Sequence, residues 1–596
     1  MEKVVSLCKR RGFVYQSSEI YGGINGFWDY GPLGAELKRN VKELWWNTMT
    51  RLRDDVAGLE ATIIMAPQIW KASGHVDTFA DLMRECPLTR KRVRADQVEA
   101  QSGIVYRWTG ARTGTAPDPV VLPFAMLLKK GENPESVRKK AREFYAQGSA
   151  ALKAAGAAAV ELLGETTAPV TDSIDFHPES SVELSVARPF NLMFKTYVGP
   201  VESEDNVAYL RPETAQAIFA QFKNVLETSR QKVPFGIAQV GKAFRNEVTP
   251  RNFTFRSREF EQMELEFFIK PDEAIEAIHG SVATVPETGH PGEPQPNWGW
   301  QAWHQYWVEE RVRFYEGIGL ARQTLGFHRQ TAEELAHYAR ACVDILFKFP
   351  FSKRDAQGEL LGEELEGIAA RSDFDLSQHE RFSGKPMGVF DEDLRAAWGK
   401  LDEAKKQALA QRYYEARLKY LTKMGVDQAK AEKEAREDAD GLAKGQYIPH
   451  VIEPSAGVDR LILALICNAY SEVTDTDEKG KSETRVIMRF HPRVAPIKVA
   501  VFPLLKNKPD LVKKALEVRD LLRPHLNVFY DEAGSIGRRY ARQDEAGTPF
   551  GVTIDFDTLG EKPELLNTVT LRYRDDGRQE RVAIADLLPK LLAAVR

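Results

Sequence analysis

The stretch GKAFRNEVTPRNFTFRSREFEQMELEFF, residues 241–268, combines a strand-like pattern with an unusual amount of charge. It reads as two strands joined by a polar turn that contains Pro250 and Asn252. Side chains two residues apart share one face of a strand. One face of the second strand would therefore carry Arg256, Arg258, Phe260, Gln262, Glu264 and Glu266. Apolar segments flank the stretch on both sides, which predicts a central position in a sheet.

The order of groups on this charged face points to a binding site. The first strand would add Gln239, Gly241, Arg245 and Glu247 to the same face. Guanidinium groups near the turn suit phosphate oxygens, the ring of Phe260 suits a nucleotide base, and the carboxylates farther along suit an ammonium group. This gradient favours an aminoacyl-nucleotide as ligand. A ladder of cross-strand ion pairs on an exposed sheet is the alternative.

The bulk properties describe an ordinary globular protein. A chain of 596 residues predicts about two to four domains. The hydrophobic fraction of 43% and the charged fraction of 28% are typical of soluble proteins. The net charge of −4 does not indicate a nucleic-acid-binding protein, although a local basic surface can still bind nucleic acid.

The cysteines and the apolar runs favour a cytoplasmic protein. Four cysteines lie far apart, which argues against a disulfide framework and fits a reducing compartment. We recognise neither a targeting leader nor an apolar run approaching the roughly 20 residues of a membrane span. We therefore expect no membrane partner.

Several motifs, in order along the chain, resemble one enzyme family. The segment FRNE followed by a loop and REF resembles motif 2 of class II aminoacyl-tRNA synthetases, and EPSAGVDR, residues 453–460, resembles motif 3. The helix and strand ending at Pro67 resemble motif 1, which forms the dimer. More narrowly, EIYGGINGFWDYGPLG, YLRPETAQAIF, ELEGIAARSDFDLSQH, IPHVIEPSAGVDR and GSIGRRYARQDEAGTPF resemble the dimeric type of glycyl-tRNA synthetase. Their order disfavours the ion-pair ladder.

The resemblance implies a fold and a reaction. The fold would be α/β with an α+β catalytic core, in which helices flank the antiparallel sheet of class II synthetases. Helical insertions and a C-terminal α/β anticodon-binding domain would complete it. The reaction would be glycine–tRNA ligation: ATP, with Mg²⁺, converts glycine to glycyl-adenylate, and the glycyl group passes to the 3′ end of tRNA(Gly). The protein would be a homodimer.

Domain boundaries follow from changes in composition. We expect residues 1–82 and 181–490 to form the catalytic core, residues 83–180 to form an inserted basic region that is helical over 117–170, and residues 491–596 to form a small, mainly parallel α/β domain. The charged stretch 391–445 has few apolar anchors and is predicted to be a solvated helical appendage. The polar run 471–484 is predicted to be a loop and linker.

The resemblance assigns the nucleotide site residue by residue, and the sequence contains no glycine-rich phosphate loop that would compete with it. Arg245 would hold the α-phosphate and stabilise the charge that develops there, and Arg460 would cover the adenine and reach the γ-phosphate; these two are the catalytic residues. Arg256 would bind the terminal phosphates, Glu247 the adenine amino group, and Phe260 would stack on the base.

The metal and glycine residues are assigned in the same way. Glu364 and Glu453 would bind Mg²⁺, whereas the neighbouring Glu363 and Glu366 would be solvated. The ammonium group of glycine would be bound by Glu213, Glu264 and Ser455, and its carboxylate would lie near Arg211. Without the motifs, Glu213 would read as an acid at a helix N-terminus beside Pro212.

Some positions depart from the family or receive no role. Many relatives carry a CxxC pair where this chain has Cys86 and Thr89, so we expect no zinc. Ala217 stands where relatives often have glycine, and its methyl group is either neutral or narrows the site. Gly362 and Glu363 stand where relatives often have WG, which bears on local packing and not on the chemistry. His75, Arg251, Arg258 and Glu266 are not assigned, and Arg538, Arg539 and Arg542 are candidates for tRNA phosphate contacts only as a group.

Two other functions compete with glycine–tRNA ligation. A synthetase of the same class for proline, threonine or histidine is one, and the combination of Glu213, Glu264 and Ser455 argues against it. A non-catalytic RNA-binding paralogue is the other, and such a protein would be expected to lose some of Arg245, Glu247, Glu453 and Arg460, all of which are present.

Overall fold

The chain folds into two compact units. The computed structural model describes residues 1–114, 116–148, 150–336, 338–476 and 482–595. The first unit comprises Met1–Ser73, Phe194–Arg245 and Pro250–Arg596, and the second comprises Gly74–Met193 and Asn246–Thr249. The predicted insertion, residues 83–180, falls inside the second unit.

A seven-stranded sheet forms the centre of the first unit. Its strands in chain order are β1 Val56–Gly58, β2 Phe235–Phe244, β3 Glu259–Ile269, β4 Leu325–Arg329, β5 Ala341–Phe347, β6 Glu363–Ser372 and β7 His450–Gly457. They lie in the order β4-β5-β6-β7-β3-β2-β1, and each neighbouring pair is antiparallel except β1 and β2. The predicted antiparallel sheet is confirmed, with β3 as a central strand.

Helices cover both faces of this sheet. Those that matter for the site are α1 Pro32–Trp46, α2 Ala215–Thr228, α3 Trp300–Gly317, α4 Phe374–Ser383, α5 Glu403–Lys423 and α6 Val458–Ala469. Helices α1, α3 and α6 bury their apolar residues together with Met263, Leu265 and Phe267 of β3. On the opposite face α2 packs Phe222 against Phe268, with ring centroids 4.5 Å apart. Glu264 and Glu266 belong to that second face because they alternate with the core residues.

Further short elements complete the first unit. Before the C-terminal domain, its other α-helices are Glu2–Arg11, Pro67–Ala72, Asp272–His279, Glu392–Trp398 and Gln428–Ala443. Its other strands in the same part of the chain are Val14–Gln16, Trp28–Tyr30, Ile64–Met65, Lys195–Tyr197, Val207–Leu210, Val389–Phe390, Gln446–Tyr447, Tyr470–Thr476 and Ser482–Met488. The last two pair with each other, so the predicted linker at 471–484 is wrong; its residues 477–481 lie outside the described residues.

The charged segment 391–445 is docked on the core, which corrects the prediction of a solvated appendage. Leu394, Trp398, Tyr413 and Leu442 are buried in one apolar cluster with α2. These anchors are spaced widely between charged residues, so the apolar stripe is easy to miss in the sequence. They nevertheless fix the segment to the second face of the sheet.

The C-terminal domain contains a five-stranded sheet. Its strands are Val499–Pro503, Val528–Tyr530, Phe550–Ile554, Thr568–Tyr573 and Gln579–Ala583, and its helices are Pro509–Leu522, Ile536–Ala546 and Ile584–Val595. The first three strands are parallel, and the last two join them in antiparallel fashion. The sheet is therefore mixed, which corrects the prediction of a mainly parallel sheet. The polar strand Gln579–Ala583 was not recognised in the sequence.

The second unit combines strands and helices. Its elements are the helices His75–Thr78, Pro134–Gly148 and Ala150–Ala155 and the strands Ala80–Glu85, Arg92–Arg94, Gln101–Thr113, Ala116–Leu128, Glu161–Leu163, Thr166–Ser173 and Arg188–Asn191. The prediction of helix over 117–170 is wrong up to Leu128, where an edge strand lies instead, and again from Glu161, where the strands Glu161–Leu163 and Thr166–Ser173 lie. Pro119 and Pro123 belong to the strand Ala116–Leu128, and proline is tolerated on an edge but not inside a helix.

Candidate functional site

Strand pairing assembles one row of polar residues across three strands. The register places Gln239 of β2 and Ser455 of β7 on either side of Glu264. Gly241 and Gly457 flank Gln262 in the next row. Two of the residues predicted to bind the ammonium group, Glu264 and Ser455, are thus direct neighbours.

The arginines predicted on the strands lie in the connection between them. Strand β2 ends at Phe244 and β3 begins at Glu259, so Arg245, Arg256 and Arg258 belong to the long loop. The guanidinium of Arg245 lies 5.4 Å from the centroid of Phe260 and donates through Nε to the carbonyl of Pro212 at 3.0 Å. Arg258 instead donates to the carbonyl of Asn25 at 2.9 Å. Arg245 and Phe260 are therefore adjacent, as the sequence predicted, although Arg245 lies in the loop and not on a strand.

Arg460, the last residue of motif 3, lies near the β2–β3 loop. Arg460, in the first turn of α6, lies 4.7 Å from the ring centroid of Phe255 and 3.1 Å from a carboxylate oxygen of Glu364. Glu364 is exposed enough to accept a ligand, with half of its side chain accessible. A Cβ placed on Gly367 would stand 3.6 Å from Asp344 and 3.8 Å from Glu364, so both carboxylates lie over this glycine.

Glu264 is a buried carboxyl that hydrogen-bonds with the side chains of Thr214 and Ser455. It accepts from the hydroxyl of Thr214, whose backbone N–H donates to Gln262 at 3.2 Å. The side-chain amide of Gln262 in turn donates to Ser455 Oγ at 3.3 Å. Burial, reinforced by the negative charge of Glu213, raises the pKa of Glu264. A bound cation would offset both the loss of hydration of the Glu264 carboxylate and its repulsion by Glu213.

Glu453 lies close to Glu264 and is bound by Arg371. Nη1 of Arg371 donates to both carboxylate oxygens of Glu453 at 2.9 Å. The other edge of the same guanidinium binds Asp375 through Nε and Nη2 at 2.8 and 2.9 Å. Burial raises the pKa of Glu453, and Arg371 opposes that shift. Sequence reasoning missed Arg371, although it is the one basic residue inside the quoted segment ELEGIAARSDFDLSQH before its helix.

Glu266 completes a cluster of three buried acids. Oxygen atoms of Glu264, Glu266 and Glu453 all lie within 4.8 Å of one another. Neither carboxylate oxygen of Glu266 has a hydrogen-bond partner among the described residues, and its side chain is fully buried. Burial and the nearby charge of Glu453 raise the pKa of Glu266 well above its ordinary value.

Arg211 lies beneath the polar row. Its guanidinium donates to Gln239 at 2.7 Å, to the carbonyl of Lys242 at 2.7 Å and to that of Ala61 at 3.3 Å. A Cβ on Gly241 would collide with its Nη2 atom, so the glycine makes this approach possible. Arg211 is almost wholly buried and supports Gln239 directly.

A buried glutamine links two acids of the site. The side-chain amide of Gln216 donates to Glu213 at 3.0 Å and to Asp375 at 2.9 Å, while its oxygen contacts the ring of His379 at 3.0 Å. Gln216 thereby connects the predicted ammonium residue Glu213 to the acid that holds Arg371. Its position in RPETAQ was the only signal available in the sequence.

Three remaining predicted residues have other surroundings. Glu247 is buried in the segment Asn246–Thr249, which belongs to the second unit. Glu366 is not solvated: it is buried and pairs with Arg311 at 2.6 Å and with the hydroxyl of Tyr315 at 2.5 Å. Arg539 is also buried and donates to four backbone carbonyls, so it is structural rather than a phosphate contact.

The described side chains form a graded surface along β3. Arginines and an aromatic ring stand at the loop end, and buried acids with one shared arginine stand toward the middle of the strand. The first zone can bind phosphates and a base, and the second can bind a small cation such as an ammonium group. No helix in the described part of the chain has both the length and the apolar character needed to cross a membrane.

Family models match two parts of the chain. Residues 197–288 match the tRNA synthetase class II core domain (G, H, P, S and T), which includes β2 and β3. Residues 498–594 match the anticodon binding domain. The first match covers the part of the candidate site that β2, β3 and their connection contribute, and the second covers the C-terminal mixed sheet.

Full-length relatives carry one name. The chain is 40% identical to a glycine–tRNA ligase of Rhodopirellula baltica, over 100% of this chain and 99% of the relative. It is 41% identical to that of Thermus thermophilus, over 98% and 97% of the two chains, and 37% identical to that of Treponema denticola, over 100% and 97%.

Proposed function

The chain belongs to the glycine–tRNA ligase family of class II aminoacyl-tRNA synthetases, and from this premise we propose that it activates glycine with ATP and transfers the glycyl group to the 3′ end of tRNA(Gly). The observation that carries the proposal is the group of acids around Glu264, formed by Glu213, Glu264, Glu266 and Glu453 and called the acid pocket below. Thr214 donates to Glu264 and to Gln262, and Gln262 donates to Ser455, which itself bonds to Glu264. Glu213 and Glu453 act electrostatically on the same carboxyl.

This pocket suits an amino acid that has no side chain. Several buried acids share one arginine, so a cation lowers the energy of the site, and the ammonium group of glycine supplies it. Thr214, Gln262 and Glu264 are themselves buried, which supports selection by volume. Exclusion of an added methyl group needs no separate editing site. We assign Glu213, Glu264 and Ser455 to the ammonium end and Arg211 to the carboxylate end.

The loop end of β3 is proposed to bind ATP. Arg245 would contact the α-phosphate, Arg256 the terminal phosphates, and Phe260 the adenine ring. Arg460 would close the site from α6, and its present contact with Glu364 supports a position beside metal-bound phosphates. Glu247 is proposed to accept from the adenine amino group.

Magnesium would be held by carboxylates at the same end. Glu364 fits this role because it is accessible and shares the space over Gly367 with Asp344, and carboxylates together with phosphate oxygens are the ligands Mg²⁺ prefers. Glu453 was predicted as the second ligand, but both of its oxygens already accept from Arg371. We therefore favour Asp344 with Glu364, and place Glu453 with the ammonium residues. Bound Mg²⁺ would neutralise charge on the ATP phosphates.

Catalysis by these residues is positioning and charge stabilisation. The glycine carboxylate attacks the α-phosphorus, a new O–P bond forms, and the bond to the leaving pyrophosphate breaks. Arg245 stabilises the negative charge that grows on the phosphorus oxygens. A ribose hydroxyl of the tRNA then attacks the activated carbonyl, AMP leaves, and the hydroxyl proton is released. Holding the reactants in line supplies much of the rate.

The remaining partners are proposed from the family and the surface. The C-terminal domain would read the anticodon arm of the tRNA. A homodimer through the motif 1 region is supported by the exposed apolar side chains of Leu52, Ile63 and Ile64. We place the protein in the cytoplasm, where its tRNA substrate is found.

ATP–pyrophosphate exchange with each of the twenty amino acids tests the proposal. Exchange with glycine alone supports it. Exchange with proline, threonine or histidine would instead favour another synthetase of the class, and absence of exchange would favour a non-catalytic RNA-binding protein. Light scattering on the same preparation tests the dimer.

A further inference from the structure

Helix α5 carries one buried arginine, Arg417, which packs inside the first unit. Its other charged residues are mostly exposed, but the side chain of Arg417 is only 7% accessible. Arg417 binds Asp373 through Nη1 and Asp438 through Nε at 2.7 Å. Its Nη1 atom also lies 3.3 Å from the hydroxyl of Ser377. A surface appendage would not need such a buried group.

Asp373 directly precedes helix α4. It is the N-cap of α4, and its side chain also accepts from Ser377 at 3.1 Å. Asp375 follows in the first turn of the same helix. Arg417 therefore holds the starting turn of α4 from the side of the inserted segment.

The first turn of α4 holds the arginine of the acid pocket. Asp375 binds the planar guanidinium of Arg371 by two hydrogen bonds, and the remaining edge of that guanidinium binds Glu453. Two parallel hydrogen bonds fix the plane of a guanidinium group, so a rotation of the Asp375 carboxylate also rotates the guanidinium of Arg371. The position of Asp375 consequently sets the direction in which Arg371 presents its charge to Glu453.

We propose that Arg417 is a positioning residue for glycine activation, acting through α4 and Arg371 on the acid pocket. The inference rests on the proposed function and deepens it. The segment 391–445 becomes a support of the amino-acid site. Loss of the Arg417 guanidinium would leave Asp373 and Asp438 without their shared cation, release the first turn of α4, and loosen the Arg371–Glu453 contact. Glycine binding would weaken, whereas the ATP contacts at the loop end would persist.

A purely structural role for Arg417 is the competing explanation, and the chain offers a matched control. Arg412 lies on the same helix and also pairs with two acids, Glu273 at 2.9 Å and Glu276 at 2.7 Å. Those acids belong to the helix Asp272–His279, which contributes no group to the pocket described above. Arg412→Gln therefore removes a second two-acid contact of α5, made by a more exposed side chain (49% accessible), without touching α4.

The test compares ATP–pyrophosphate exchange and melting temperature for the full-length wild type, Arg417→Gln, Arg417→Lys, Asp438→Asn and Arg412→Gln. We expect Arg417→Gln to raise the KM for glycine at least 10-fold and to change the KM for ATP less than twofold. Arg417→Lys should recover part of the loss. Asp438→Asn, which keeps the bond to Asp373, should raise the glycine KM by a smaller factor, and Arg412→Gln should leave it unchanged.

The outcomes separate the two proposals. If the wild type shows no glycine-dependent exchange, the proposed function itself is wrong. If the wild type is active, a glycine KM that stays at the wild-type value in Arg417→Gln, or that rises equally in Arg412→Gln, overturns the positioning role. Should Arg417→Gln fail to fold, the same comparison between Arg417→Lys, Asp438→Asn and Arg412→Gln decides.

Discussion

At the scale of single residues, burial decides what each acid on β3 can do. Glu259 is partly exposed and pairs with Lys242 at 2.5 Å, which is the ion-pair behaviour expected of a strand surface. Glu264 and Glu266 are buried and face one another's charge. Identical side chains on one strand thus occupy a partly exposed surface position and two buried positions, one of which we propose binds the ammonium group of glycine.

Replacing the binding acid should remove glycine recognition selectively. Glu264→Gln keeps the shape but loses the charge that would bind an ammonium group. A charged hydrogen bond contributes about 1.5–3 kcal/mol, so glycine-dependent exchange should fall roughly 10- to 100-fold while ATP affinity is retained. Exchange kinetics and a nucleotide-binding titration measure the two effects. Glu259→Gln on the same strand is the control, and equal losses in both variants would refute the assignment.

Glu266 predicts a pH effect on stability. Its pKa is raised in the folded protein, so the folded state holds a proton that the unfolded chain releases above its ordinary pKa of 4.5. Wild-type stability should therefore fall as the pH rises from about 5, by up to about 1.4 kcal/mol per pH unit. Glu266→Gln cannot ionise, so its melting temperature should equal that of the wild type near pH 5 and exceed it at pH 8. Parallel profiles for the two proteins would contradict this.

At the scale of elements, the sequence predicted those whose pattern is local. Met263, Leu265 and Phe267 alternate as a strand requires, and Pro32 marks the first turn of α1. The strand Ala116–Leu128 was missed although Pro119 and Pro123 excluded a helix. The docking of α5 was not readable, because the burial of Arg417 depends on Asp373, a partner distant in sequence. The same holds for Arg371 and Gln216.

The pairing of α3 with β6 can be tested by mutation. Glu366→Ala leaves Arg311 buried without its carboxylate, and breaking a buried pair costs about 3–5 kcal/mol. We expect the melting temperature to fall by about 5 °C or more. Glu363→Ala, at a partly exposed position of the same strand, should change it by about 1 °C at most. Calorimetry on both variants checks the prediction, which fails if the two shifts are alike.

At the scale of the whole molecule, domain identity was predictable but domain contacts were not. The motifs placed a catalytic core before an anticodon-binding domain, and both family matches agree. The ion pairs of Arg10 and Arg11 with Glu545 join the first helix to the C-terminal domain, and Arg574 donates to the carbonyl of Phe490 at 2.8 Å. Contacts between such distant residues leave no periodic signal in a sequence.

The net charge of −4 predicts how tRNA binding responds to salt. An acidic protein must bind the phosphate backbone through local basic surface, and such binding weakens steeply as counterions are added. We expect the KM for tRNA in aminoacylation to rise at least about 10-fold between roughly 50 and 200 mM salt. Glycine-dependent exchange without tRNA is the internal control and should change little. A KM for tRNA that is insensitive to salt would exclude a phosphate-dominated interface.

The distance along the chain between β3 and its neighbour β7 has a consequence for biosynthesis. About 180 residues separate the end of β3 from the start of β7. A ribosome that adds about 5–20 residues per second needs roughly 10–40 s to make them. One edge of β3 stays open throughout, and charged side chains on an open edge oppose pairing with other nascent chains. We therefore expect Glu264 and Glu266 to oppose aggregation of the growing polypeptide before β7 covers this edge of β3.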